Sequence, residues 1–453
     1  MKFYNTYIRI ALLCLGGIFS SHIGAQEQTI SPYSRFGLGD FASKDFQHLQ
    51  MMGGIRGAFH DAYQTNLANP ASLAFLNATA FEVGAYARRN KLSEGDLDAI
   101  NWTGNLSHIS LSFPIFNPIA DLLNREDRKL KWGMNLSLVP FTRVGYDTET
   151  VDSSQVEIGR LAYRFLGSGG SYKAQWANGF KYNNLAFGVK AFYMFGRSEL
   201  DRTVIFQDIN NANTNRFTNN FTYNGFGFEL GAIYQIKLNA AQVERSEGKN
   251  PLKSLSLGAY WSPITQARTN TELFYRTVNI NTPANAVDTL LYTEEPIRGE
   301  ARIPGNFGLG AFYTVGDNWR MGLNFEQQAW SRYANEATEE EEGALKDAYE
   351  LSFGASYRPD LNSFDNFWKR LSYKAGFRVG NDPRTINGEQ INTLAISTGV
   401  TAPFFFQRQI SFVDLGIEFG KRTVANGINE NYTSILLGFT LNDNDWFIQR
   451  KFN

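Results

Sequence analysis

The sequence predicts an all-β protein, a 14-stranded antiparallel transmembrane β-barrel with an N-terminal hatch or plug in its lumen. Three observations point there. Alternation of apolar and polar residues runs from about Ala78 to Leu441 without a break in composition. The chain is 43% hydrophobic and 15% aromatic, with 41 Gly but only 13 Pro. Past the N-terminus, no stretch approaches the roughly 20 apolar residues of a spanning helix. A length of 453 residues would otherwise suggest two or three soluble domains, but one uniform strand-and-turn texture fits a single large sheet.

Met1 to Ala25 has Lys2 and Arg9, a short apolar run from Ile10 to Phe19, and small residues leading into Gln26. This is the layout of a cleaved secretory signal over residues 1–25. The only cysteine, Cys14, lies inside it, and Leu13 before it is too large for a usual lipoprotein cleavage site. The exported chain then has no thiol for disulfides or metal sites. Without the signal, 41 basic residues face 44 acidic ones, a balance of −3, which excludes the basic excess that nucleic acid binding would need.

Residues 26–77 lack strand period and are expected to form an arm and hatch. Gln26 to Asp40 is polar and Gly-containing, and Phe41 to Asp61 includes Met51, Met52, Gly53, Gly54, Gly57 and Ala58. In Asn66 to Leu76 (NLANPASLAFL), Asn69 reads as a helix N-cap and Pro70 as the first helical residue. The short helix of Ala71, Leu73, Ala74 and Leu76 cannot stand alone and needs a packing partner, which a barrel lumen offers. The alternative is a flexible periplasmic arm; the small and apolar content suits packing better.

Barrel strands are expected over 78–441. Fourteen runs can be counted, near 79–88, 105–115, 130–146, 160–182, 184–206, 221–237, 252–268, 303–315, 319–332, 348–358, 370–380, 391–402, 409–421 and 431–441. The clearest pair sets Phe307, Leu309, Ala311, Tyr313 and Val315, then Trp319, Met321, Leu323 and Phe325, on an apolar face across the turn Gly316 to Asn318. An even count puts both ends on one side, with short turns at Asn183-Asn184 and Gly316 to Asn318 inside, and long loops at Asp201 to Asn220, Gln266 to Arg302 and Arg332 to Asp347 outside. The last residues, 442–453 (NDNDWFIQRKFN), are expected to form a C-terminal periplasmic tail.

Alternation also assigns inward polar residues: Lys190, Arg320, Lys374 and Arg378 against Glu229, Glu326, Glu350, Asp414 and Glu418. Such a mixed interior should pair internally and with the hatch, because unpaired buried charge is costly. Phe192, Met194, Phe312 and Phe412 also point inward, to line an apolar cavity or to pack on the plug. Pro140 in the third strand removes a ladder donor, marking a bulge, a strand end or a gap in the wall. The acidic run Glu339 to Glu342 reads as a solvated loop tip, with cation bridging to lipopolysaccharide as the alternative.

Catalysis has little support. The exported histidines are His48, His60 and His108, with no triad spacing; His60-Asp61 reads as a polar pair in the hatch. No cofactor or metal motif appears.

The NPASLAFL segment, the pair IPGNFGLGAFYTVGDNWRMGLNFEQQAWSRY (Ile303 to Tyr333), LSFGASYRPD and YKAGFRVG resemble the FadL/TodX outer-membrane transport family over essentially the whole exported chain. SPYSRFGLGD and GSGGSY (Gly167 to Tyr172) resemble its Bacteroidota-type branch, where such barrels also serve as subunits of secretion or assembly machines. The resemblance implies the outer membrane of a Gram-negative bacterium, a surround of membrane lipid and lipopolysaccharide, and a hatch element whose motif matches at Asn69, Pro70 and Ala71, with Asn66 and Leu73 beside it. It implies uptake of small hydrophobic molecules such as long-chain fatty acids, with lateral exit near Pro140. No motif matches the fatty-acid pocket. A second expectation, from the charged interior and the chain ends, is a closed structural subunit of an outer-membrane secretion or barrel-assembly complex.

Overall fold

The computed structural model describes residues 31–116, 128–153, 159–210, 212–246, 250–278, 287–293, 295–386, 388–406, 409–425 and 427–443. The expected signal over 1–25 and all of the tail beyond Asp443 lie outside the described residues.

The strands are β1 (Thr79–Glu94), β2 (Leu97–Pro114), β3 (Leu130–Asp152), β4 (Leu161–Tyr182), β5 (Leu185–Phe206), β6 (Thr214–Lys237), β7 (Lys253–Ser262 and Thr265–Val278), β8 (Val287–Tyr292, Ile297–Ile303 and Asn306–Val315), β9 (Trp319–Gln328 with Ala334–Asn335), β10 (Ala348–Tyr357), β11 (Ser372–Ile386), β12 (Glu389–Phe406), β13 (Gln409–Thr423) and β14 (Asn429–Asp443). Each pairs antiparallel with the next, and β14 returns to β1 from Asn429↔Ser93 to Asp443↔Thr79, closing a 14-stranded barrel. The breaks in β7 and β8 face each other, since Ser262 pairs with Asn306 and Thr265 with Ile303 around Pro263 and Pro304. Two prolines without ladder donors are thus kept opposite one another.

The period of two explains which side faces what. Phe307, Leu309, Leu323 and Phe325 are exposed outward, while the intervening Asn324 and Glu326 are buried. At the short-turn end Tyr182, Tyr234, Trp319, Tyr357 and Tyr373 form an exposed aromatic girdle. Among the described residues no helix is long and apolar enough to cross a membrane.

Three expectations need correction. The expected outer loops are largely strand: β5 and β6 stay paired to Val204↔Asn215, and β7 reaches Val278. DRTVIF and TNRFTNN mix β-branched or aromatic with polar residues and hold no Gly or Pro, so the hairpins extend past the 9–11 residues a bilayer needs. The last strand runs through Asn442 and Asp443 rather than stopping at Leu441; the Asn442 amide donates to Ile410 O at 2.8 Å and its N–H to Ser411 Oγ at 3.1 Å. The hatch helix is a 3-10 turn, Pro70–Phe75, with Leu76 already extended.

The N-terminal segment threads the lumen from the long-loop end downward. A 3-10 turn at Pro32–Arg35 docks on β3, where Ser31 N donates to Gly145 O at 3.0 Å. Asp40–Phe41 then pairs with Arg143 and Thr142 of β3. The helix α1 (Gln47–Gln50) lies against β13 and β14, and Pro70–Phe75 rests on β3 to β6 before the chain enters β1. Most of this segment is buried.

Candidate functional site

The inner segment and the barrel wall meet through close packing and ion pairs. In thirteen of the fourteen strands, β2 excepted, a glycine faces the segment, and many are ladder neighbours: Gly133↔Gly179↔Gly188↔Gly231, Gly258↔Gly310, Gly322↔Gly354↔Gly376, Gly399↔Gly416 and Gly438↔Gly84. A Cβ on Gly179 would stand 2.6 Å from Pro70 O, and one on Gly310 2.8 Å from Ala58 N. The belt lets backbone lie on backbone. One glycine in the middle of nearly every strand was the sequence signal for it, and the sequence reading missed it.

Asn69 carries the lower contact. Its Oδ1 accepts from Ala71 N at 3.1 Å, capping the turn that Pro70 begins, and its Nδ2 donates to Gly57 O at 2.6 Å and to the wall carbonyls of Ala232 and Ala259. Asn66 Nδ2 ties the segment to itself through Arg56 O at 2.6 Å and Phe59 O at 2.9 Å. Ala71 and Leu73 are fully buried. Thr65 N donates to the buried Glu82 carboxylate on β1.

Each inward charge named from the sequence has a partner. Lys190 donates to Leu67 O at 2.8 Å and pairs with Glu229 at 2.6 Å. Arg320 pairs with Asp61. Lys374 donates to His48 O at 3.2 Å and lies 3.8 Å from Asp414, which accepts from Gln64 Nε2 at 3.1 Å. Arg378 pairs with Glu418 at 3.0 Å and with Glu350 at 3.6 Å. Glu326 is the hub: it takes Arg56 at 2.8 Å, the Tyr260 hydroxyl at 2.6 Å, and Lys44. Arg56 also reaches Asp45 at 3.0 Å and Glu350. Burial would lower the Arg56 pKa, but these three carboxylates outweigh it and hold it well above the ordinary value.

At the long-loop end the SPYSRFGLGD stretch is a staple. Arg384 of β11 donates to Tyr33 O at 2.9 Å and to Asp40 at 2.9 Å, and Arg422 of β13 meets Asp40 at 2.9 Å. Ser31 Oγ donates to Glu430, and Gly37 N donates to Glu340 Oε1 at 3.0 Å. Glu340 of the acidic run therefore holds the inner segment, and Glu342 pairs with Arg302.

His60 and Asp61 do not pair with each other, which corrects the sequence reading; neighbouring side chains of an extended segment diverge. Asp61 takes Arg320 and the N–H groups of Tyr63 and Gln64. Its burial would raise the carboxyl, but Arg320 and those donors hold it well below the carboxylate range. His60 sits edge-on to Phe75 at 3.9 Å, its Nε2 3.3 Å from Gln235 Nε2, and burial first, then Lys181 and Arg320, pull its pKa down to about 3. Phe312 packs against Phe59, Phe412 lies near Tyr63, and Phe192 and Met194 belong to the upper core.

Pro140 stands at a break in the wall. β2 and β3 pair only from Ile109↔Leu138 to Pro114↔Gly133, and β3 bulges between Pro140 and Thr142. Ile115 N donates to Trp132 O, so the even-numbered residues that follow turn their backbone toward β2, and Pro140 falls where the next donor would be. Above it β3 pairs with Asp40–Phe41 instead. Ser107, Val139, Pro140 and Phe141 line a cavity of about 270 Å³ with Lys44, Arg56, Lys173, Lys190 and Glu229. Its lining is rich in charge.

Solved structures share this fold. The Pseudomonas putida toluene transporter TodX matches with a TM-score of 0.56 at 14% identity, covering 90% of this chain and 100% of that one. A Pseudomonas aeruginosa FadL homologue matches at 0.55 and 11%, covering 89% and 98%. The Ralstonia pickettii toluene transporter TbuX matches at 0.51 and 11%, covering 90% and 99%. No curated protein sequence matches the chain. The BamG family model matches residues 7–453, essentially the whole length, and the chain belongs to the BamG family.

Proposed function

We propose that this protein is an outer-membrane barrel with a permanently closed lumen, serving as a structural subunit of a larger outer-membrane assembly machine. The observation that carries the reading is the keying of the inner segment to the wall through the Arg56–Glu326 hub and the glycine belt. A hatch that opens must break buried ion pairs, each costing several kcal/mol when one partner is left alone. The charged cavity suits an apolar ligand poorly. BamG membership accords with the assembly reading, and SPYSRFGLGD resembles a Bacteroidota-type branch.

The wall gap at Pro140 favours a second reading, uptake of small hydrophobic molecules of the fatty-acid type, and the shared fold of the toluene transporter TodX accords with hydrophobic uptake in general. There a ligand would enter from the long-loop end, shift the hatch near Asn66 to Leu76, and leave through the gap. Native mass spectrometry after mild-detergent extraction from the native membrane separates the two. A stoichiometric assembly with an empty barrel is expected; a monomer carrying an apolar ligand contradicts the proposal.

A further inference from the structure

Most cations inside the barrel meet a carboxylate; three that do not stand together beside the wall gap. Arg88 of β1, Arg143 of β3 and Lys173 of β4 have no carboxylate oxygen within 4.0 Å among the described residues, and all three line the 270 Å³ cavity. Arg143 is only 9% exposed and its Nε has no hydrogen-bond partner among the described residues. Asp40, which pairs across the strands with Arg143, is already engaged by Arg384 and Arg422 at 2.9 Å each, and Glu229 is taken by Lys190 at 2.6 Å.

Aromatic rings cover part of this charge. The Arg143 and Arg88 guanidiniums lie 4.7 and 5.8 Å from the centre of one ring, Tyr86, and Lys173 Nζ sits 3.9 Å from Phe141 and 4.3 Å from Phe192. Cation–π contact is worth less than an ion pair, and a buried cation without an anion is costly. Two guanidinium forks and one ammonium are the donor set that recognises phosphate. The gap strands supply Ser107, Val139 and Pro140 to the same cavity, so a group carried in the bilayer can reach it sideways.

We infer that Arg88, Arg143 and Lys173 form a phosphate-binding site that opens through the β2–β3 gap. The phosphate is either free or the headgroup of an anionic membrane lipid. The site holds whether the barrel stands alone or in an assembly.

The test uses the full exported chain in an uncharged detergent, titrated with inorganic phosphate by calorimetry, and in phosphatidylcholine nanodiscs with or without phosphatidylglycerol, analysed by native mass spectrometry. Saturable one-to-one binding of at least one probe is expected, weakened tenfold or more by Arg143→Gln and by Lys173→Met. Retention of phosphatidylglycerol identifies a headgroup site; binding of phosphate without lipid retention identifies a free-anion site. Should Arg143→Gln fail to fold, Lys173→Met, which keeps its stem between the rings, decides alone. No saturable binding of either probe by the natural chain, or binding unchanged in the folded variants, overturns the inference.

Discussion

The Arg56 guanidinium, carried by the inner segment, lies 2.8 Å from Glu326 Oε2 on β9, and both groups are buried. Glu350 and Asp45 lean on the same guanidinium. Arg56→Met leaves three carboxylates facing one another, and the barrel should lose about 3–5 kcal/mol. The thermal midpoint of the heat-modifiable band on a gel measures it. Arg56→Met with Glu326→Gln should recover part of the loss, since one buried charge is then removed with its partner.

Glycine at the belt makes a steric prediction. Gly354 faces Met52 with no room for a side chain. Gly354→Val should push the segment off the wall, open it to protease and raise conductance in planar bilayers, where the natural chain stays closed. Removing residues 31–78 should raise conductance further.

Acid should loosen the segment through His60. It is neutral in the fold, with its pKa pulled down to about 3 from an ordinary 6.5. The unfolded chain therefore takes up the proton first, so stability is complete above pH 6.5 and falls as the pH drops from 6.5 toward 3. Asp61, held below its ordinary value, adds a further loss below about pH 4. Thermal midpoints across this range should show the decline, and His60→Gln should flatten its upper part.

Pro140→Val restores a donor where the β2–β3 ladder stops. Pairing should extend past Leu138, and amide exchange at Leu106 and Ser107 should slow. Unchanged exchange would mean that the Asp40–Phe41 strand, rather than the missing donor, holds the gap open.

Strands were legible because a residue such as Phe325 faces lipid while Glu326 beside it faces the lumen, and a period of two records that difference over ten residues. The Asn69-Pro70 start was equally plain, because a cap is local chemistry. Partners were not: Arg56 meets Glu326 across 270 positions, a distance that only barrel closure sets. The staple was hidden for the same reason, since Asp40 gives no local sign of Arg384 or Arg422. The ends of β5 to β8 were misjudged because polar hairpins beyond the bilayer lose the lipid-facing pattern while keeping their ladder.

The most direct test of a permanently closed lumen is to lock it. Thr65 Oγ1 of the inner segment lies 2.8 Å from Ser112 Oγ on β2, so Thr65→Cys with Ser112→Cys should oxidise readily, and the sequence's only cysteine, Cys14, lies in the expected signal. Cells carrying the oxidised variant should assemble outer-membrane proteins at the rate of cells carrying the natural chain. Loss of that activity on oxidation, restored by reductant, would contradict the account and mean that the segment must move.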